Sequence, residues 1–188
     1  MEYTEFGTRL NSFKLGLKKS EIEENGHLTL ALLRRANKAG LTCADLNFPD
    51  HLSNLEIKTL KRFSNESSIK INGLAMRYYT SPKFKLGAFT NPEKAVRELA
   101  LDETKRGIDC AASLGCETMT LWMGQDGLDY SFQADFSQMW DHTIAAMQEL
   151  ADHNRSINLS IEYKPNEPRA FSLMPDVSTT LLALGEIN

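Results

Sequence analysis

Ile157-Asn158-Leu159-Ser160-Ile161-Glu162-Tyr163-Lys164-Pro165-Asn166-Glu167-Pro168-Arg169 is the stretch that decides how this chain folds. Apolar and polar residues alternate from Ile157 to Ile161, which is the period of a strand, and Pro165 and Pro168 forbid its continuation. Glu162 and Lys164 therefore stand at a strand exit, and their period-two spacing aims both to one side. In α/β proteins ligands gather at the carboxyl ends of the strands, so this carboxylate and ammonium are placed for chemistry. A solvated Glu and Lys at a strand end would show the same spacing, and this stretch alone does not separate the two.

Working outward, the same strand-then-helix unit recurs. Phe6 to Phe13 alternates as a first strand, a charged link runs to Gly26, and His27 to Lys38 has helical spacing and stops at Gly40. Leu41 to Phe48 is a second strand ended by Pro49, which gathers Asp45, Asn47 and His51 near one exit. Ser53 to Phe63 reads as a helix with a capping box of Ser53 and Glu56. Ile69 to Met76 is strand three and delivers Arg77, Tyr78 and Tyr79, with scaffold or rim roles expected for all three and a ligand contact as the alternative. Thr80 to Phe89 is loop, and a long helix starts at Asn91-Pro92 and ends before Gly115. Glu117 to Trp122 is strand four, opening into the loop Met123 to Tyr130, and Phe136 to His153 is the helix before the opening stretch, with His142 and His153 on its polar face. Asp176 caps a last helix that stops at Gly185.

Strand and helix thus alternate five times, which predicts an α/β fold with parallel right-handed crossovers, either an open doubly wound sheet or part of an eight-stranded barrel. No glycine-rich phosphate fingerprint follows strand one, which weighs against dinucleotide binding. A complete barrel of eight units takes about 250 residues, so these 188 residues hold about five of the eight units in one domain, 1–188.

A net charge of -4 with interspersed signs offers no basic stripe for nucleic acid. No apolar run is long enough to span a membrane, and Met1 to Ser20 lacks a signal peptide's apolar segment, so a cytoplasmic location is expected. Cys43, Cys110 and Cys116 are odd in number and lack zinc-site spacing, so buried thiols are expected rather than a disulfide framework or a metal site.

The loops after strands two to five collect His51, Arg77, Trp122, Asp126, Glu162 and Lys164, a polar set with one flat aromatic surface. Sugars suit such a site, because hydroxyls need donors and acceptors while C–H faces stack on indole. Asn47 and Asp45 can order the second strand's end or bind sugar hydroxyls. A hard divalent cation suits the carboxylate of Glu162, although such an ion wants several oxygen ligands and one is not a site.

Two motifs resemble the xylose-isomerase-like barrel family of sugar isomerases and epimerases. Trp122-Met123-Gly124-Gln125-Asp126-Gly127-Leu128-Asp129 is similar to the family's W-G-G-R-E-G-Y-E, and Glu162-Tyr163-Lys164-Pro165-Asn166-Glu167-Pro168 to its E-P-K-P-x-E-P. The resemblance runs from Phe6 to Gly185 and implies a TIM-type (β/α) barrel, incomplete on its C-terminal side. It further implies aldose–ketose isomerisation assisted by divalent magnesium, manganese or cobalt. Glu162 would be a metal ligand, Lys164 would polarise the substrate carbonyl, and Trp122 would wall the sugar pocket. His51 would assist ring opening, although the family's H-D-x-D order is absent. Apart from the resemblance, the strand-end positions of Asp126, Arg77 and Asn47 make them candidate substrate contacts. Gln125, Asp126 and Tyr163 replace the motif's Arg, Glu and Pro, and the family's further ligands on strands six to eight have no counterpart in this sequence. Three functions follow as expectations: a sugar isomerase present as part of a longer parent, a ketose 3-epimerase or other metal-dependent relative, or a non-catalytic half-barrel that binds sugar or pairs with a second chain. Family resemblance also implies a dimer or tetramer.

Overall fold

A computed structural model describes residues 5–187 of the chain. Period-two burial builds its main sheet. In β2 (Cys43–Phe48), Ala44, Leu46 and Phe48 are buried while Cys43 and Asp45 are half-buried; in β4 (Thr118–Leu121), Met119 and Leu121 are fully covered while Thr118 and Thr120 are not. The covered set packs under helices, and the other set gives the sheet a second, more polar face. Together with β1 (Gly7–Arg9), β3 (Lys70–Met76) and β6 (Asn158–Ile161), these strands form one parallel sheet in the order β1-β2-β3-β4-β6. The register between β2 and β3 slips between Ala44 and Asp45, and the extra residue, Asn72, donates its side-chain amide to Asp45 Oδ1 at 3.0 Å.

The helices α1 (Lys19–Asn25), α2 (Leu28–Lys38), α3 (Ile57–Ser67), α4 (Lys94–Leu114), α5 (Phe136–His153) and α6 (Val177–Glu186) accompany the strands. Gly107 shows how closely α4 approaches the sheet: a Cβ there would lie 2.6 Å from Met119 Cε and 3.1 Å from Phe48 Cδ1. The main apolar cluster runs from Leu10 in the first unit to Ala183 in the last. Tyr78 is buried within it, edge-on to Phe84 and Phe89, and its hydroxyl is 2.7 Å from Thr104 Oγ1.

The expected α/β arrangement of about five parallel units is what the structure shows, with local corrections. Strand one is only Gly7–Arg9, because residues Leu10–Phe13 turn into a short 3-10 helix. The charged link contains α1, whose Glu21 carboxylate is gripped by Arg35 and held near pKa 2 by that guanidinium. Ser53 does not cap α3, which starts at Ile57 after Glu56 with no side-chain cap. Asn91 caps a turn through the Glu93 amide, before α4 itself begins at Lys94. Asp176 does cap α6, accepting from the Thr179 amide at 2.8 Å, but that helix runs through Gly185 to Glu186. A two-residue antiparallel pair, β5 (Gly127–Leu128) with β7 (Phe171–Ser172), ties the loop after β4 to the loop after β6.

Beyond β6 lies a groove of about 610 Å³ whose lining includes Ile157, Leu159, Ile161, Leu184 and Ile187, next to exposed Leu181 and Leu182 on α6. Among the described residues no helix is long and apolar enough to cross a membrane.

Candidate functional site

The carboxyl ends of the five parallel strands supply the candidate site. At the end of β6 the Glu162 amide still donates to the Leu121 carbonyl at 2.9 Å, so the ladder fixes the backbone up to the Glu162 carboxylate. That carboxylate forms an ion pair with Arg9, the last residue of β1, with both side chains close to half exposed. Two residues on, Lys164 Nζ donates to Glu167 Oε2 at 2.6 Å and sits 5.6 Å from the ring centre of Trp122.

Trp122 continues the network. Tyr79 meets it edge-on at 5.1 Å, and the guanidinium of Arg77 lies 4.3 Å from the Tyr79 ring. Gly124 leaves the indole its space, since a Cβ there would come within 2.5 Å of Trp122 Cζ2. Arg77 Nη1 reaches Asn47 Oδ1 at 3.4 Å. The structure thus joins Glu162 with Arg9 at one point and Lys164, Trp122, Tyr79, Arg77 and Asn47 in a continuous line.

His51 is placed below this line, 2% exposed. Its Nδ1 accepts from the Asn47 amide at 3.0 Å, which leaves the proton on Nε2 to be donated to Asn11 Oδ1 at 3.1 Å. Burial, helped by the charges of Lys14, Arg77 and His27, lowers its pKa to about 4, so the ring is neutral at pH 7 with both nitrogens engaged. Such a histidine fixes Asn47 and Asn11, and with both nitrogens engaged it has none to offer a sugar, unlike the ring-opening histidine expected at this position.

Asp126 also departs from the position expected of a substrate contact. It is 1% exposed, and its Oδ1 accepts from the Ala88 amide at 3.0 Å, the Thr90 amide at 2.8 Å and the Thr90 hydroxyl at 2.7 Å. Oδ2 is buried without a partner. Burial raises the Asp126 pKa, against the hydrogen bonds that lower it. Asp126 is the anchor by which the loop after β4 holds the loop before α4. Arg169 makes a second tie, with Nε to Gln125 O at 3.1 Å, Nη1 to Asp129 Oδ2 at 2.6 Å and Nη2 to Lys85 O at 3.1 Å.

Arg9, Asn11 and Arg169 are the site residues that sequence reasoning did not select. Arg9 lies in the middle of the alternating stretch Phe6 to Phe13 and becomes a strand end only because β1 stops there; Arg169 closes the motif after β6, but its partners are at least 40 residues away in sequence.

Divalent-ion binding can be tested against the residues present. A hard cation takes six or more oxygen ligands. Glu162 provides a carboxylate already paired with Arg9, and among the described residues no group of three or more His, Cys, Asp or Glu could hold a metal ion. These residues alone do not fit a complete metal site.

Comparison with known proteins bears on the fold and the family. The xylose isomerase of Thermus thermophilus is 30% identical over 117 residues, covering 60% of this chain and 30% of the relative. D-allulose 3-epimerase from Methylomonas sp., solved with D-allulose, superposes with a TM-score of 0.71 at 17% identity, covering 98% of this chain and 59% of that one. The IolI protein with a bound zinc atom superposes with a TM-score of 0.65 at 15% identity, covering 90% and 57%. This chain therefore spans under two thirds of the length of these proteins. The profile of one family matches residues 33–174, which carry β2 to β7 and most of the site, and on that match the chain belongs to the xylose isomerase-like TIM barrel family.

Proposed function

We propose that the surface at the strand ends where Glu162, Lys164, Trp122 and Arg77 stand is the sugar-binding part of a carbohydrate isomerase site that interconverts aldose and ketose. The observation that carries this reading is the stacking of Lys164 over Trp122 at the exit of β6. An ammonium and an indole face arranged in this way match a sugar's carbonyl oxygen and its C–H face at once. Isomerisation moves one hydrogen between adjacent carbons while the carbonyl oxygen becomes a hydroxyl and the neighbouring hydroxyl becomes a carbonyl. Lys164, kept in place by Glu167, stabilises the negative charge that develops on the carbonyl oxygen. Glu162 accepts hydrogen bonds from sugar hydroxyls, and Trp122 with Tyr79 excludes water from one face. His51 is a positioning residue in this scheme, setting Asn47 and Asn11 through its two ring nitrogens.

A divalent ion would supply polarisation of substrate oxygens. Glu162 is the described residue that would join in holding it. Epimerisation at the ketose C3 is the second reading, supported by the likeness of fold to the allulose epimerase.

The test is to incubate the complete protein with D-xylose and with D-fructose, each with and without added magnesium, manganese or cobalt, and to follow products by carbon NMR. Aldose–ketose interconversion that is lost in Lys164→Met supports the isomerase reading. Inversion at C3 without aldose formation replaces it by the epimerase reading, and sugar binding without turnover leaves a non-catalytic binding module.

A further inference from the structure

Of the three cations at the strand ends, Arg9 is paired with Glu162 and Lys164 with Glu167. Arg77 differs from both. Among the described residues no carboxylate lies within ion-pair distance of it, and its only side-chain hydrogen bond is the long 3.4 Å contact to Asn47 Oδ1. Its Nε is shut off from solvent with no partner. A guanidinium carries five N–H donors in a rigid fork, so most of these donors are left to something outside the chain.

The fork is nonetheless held in place. It lies against Tyr79, which contacts the same indole that Lys164 covers, so Arg77 stands one aromatic ring away from the proposed sugar-stacking face. Desolvation and the nearby Arg9 work against the charge, with Asp50 and Glu162 partly offsetting them. Asp50, however, takes the Thr80 hydroxyl, at 3.4 Å, and makes no direct contact with the guanidinium. A half-buried cation without a counter-ion is costly unless a partner arrives, and its planar fork suits the two oxygens of a carboxylate or a phosphate.

We infer that this strand-end surface selects a sugar bearing an anionic group, a carboxylate or a phosphate, and that Arg77 reads that group. The inference rests on the sugar-binding reading above and narrows its substrate class.

Calorimetric titration of the full chain with D-fructose, D-fructuronate and a fructose phosphate tests it, using wild type, Arg77→Met and Arg77→Lys. One of the two anions binds wild type on the order of 10- to 100-fold more tightly than the neutral sugar, as charge-assisted hydrogen bonds allow; whichever arm is tighter identifies the group. That ratio falls to about one in Arg77→Met and to an intermediate value in Arg77→Lys, which keeps the charge but loses the fork. Circular dichroism verifies that each variant is folded, and the lysine variant decides if the methionine variant is not. Anions binding no more tightly than fructose, or an anion preference that survives both substitutions, overturns the inference while leaving the sugar-binding reading intact. Absence of binding by all three sugars overturns both.

Discussion

Arg9 and Glu162 leave the first and the last strand of the five-stranded sheet, yet their side chains meet in an ion pair. The strand order places three other strands between them, so the contact measures how far the sheet has curled towards a barrel. Both side chains are nearly half exposed, 48% and 41%, which makes the pair weak as a source of stability. Arg9→Met and Glu162→Gln should each change the free energy of urea unfolding by no more than about 1 kcal/mol. If the proposed site is correct, Glu162→Gln in the complete protein should still reduce turnover by 100-fold or more, since one lost charged donor or acceptor in an active site costs about that much. Activity and stability falling together would instead mark the pair as structural.

Gly124 should be sensitive for a reason unrelated to backbone flexibility. An added methyl would collide with Trp122, whose ring atoms lie 2.5 to 3.0 Å from the ideal Cβ position. Gly124→Ala is expected to turn the indole away from Lys164 and Tyr79 and to weaken sugar binding about 10-fold, with a changed tryptophan near-ultraviolet dichroism as its independent sign.

Asp126 offers a test of its role as a loop anchor. Asp126→Ala removes the acceptor of three hydrogen bonds and strands the buried amides of Ala88 and Thr90, at a cost of about 3 kcal/mol. Asp126→Asn retains an oxygen for those donors, so it should cost about 1 kcal/mol or less. Equal losses in urea unfolding for the two variants would contradict this assignment.

His51 predicts a pH dependence of folding. Its pKa is lowered from 6.5 to about 4 on folding, so the unfolded chain binds the proton more readily. Its contribution is full above pH 6.5 and falls progressively as the pH drops towards 4, by about 3 kcal/mol in all. Unfolding curves of wild type and His51→Gln should therefore converge across this interval as acid is added. A stability difference that stays constant from pH 7 to 4 would show that the ring gains its proton without penalty.

Much of this arrangement is legible from period and punctuation. β2, β3, β4 and β6 all follow alternating stretches, and Trp122, Glu162 and Lys164 come to strand ends because Pro165 and the glycines around Asp126 stop the strands there. What escaped has a physical reason. α1 buries none of its residues, so it carries no apolar stripe, and polar side chains tie it to α2: the Glu21–Arg35 pair and the hydrogen bond from Arg34 Nε to Asn25 Oδ1 at 2.6 Å. β5 and β7 are two residues each, too short for any period to appear. Asp126 and His51 were chosen by residue type and position in a loop, whereas their burial depends on Thr90 and Asn11, which lie far from them in sequence. The Arg9–Glu162 pair spans 153 residues and appears only once the sheet has curled.

The central claim, that a sugar docks on Trp122 between Lys164 and Glu162, is most directly tested by the indole N–H resonances of the chain's two tryptophans during titration with a ketose. Trp140 is an internal control, because its Nε1 is committed to Glu186 at 3.0 Å. The account predicts that the Trp122 resonance moves saturably while that of Trp140 stays still, and that Lys164→Met abolishes the movement. A Trp122 resonance that does not move while sugar is bound, or one that moves equally in Lys164→Met, would contradict it.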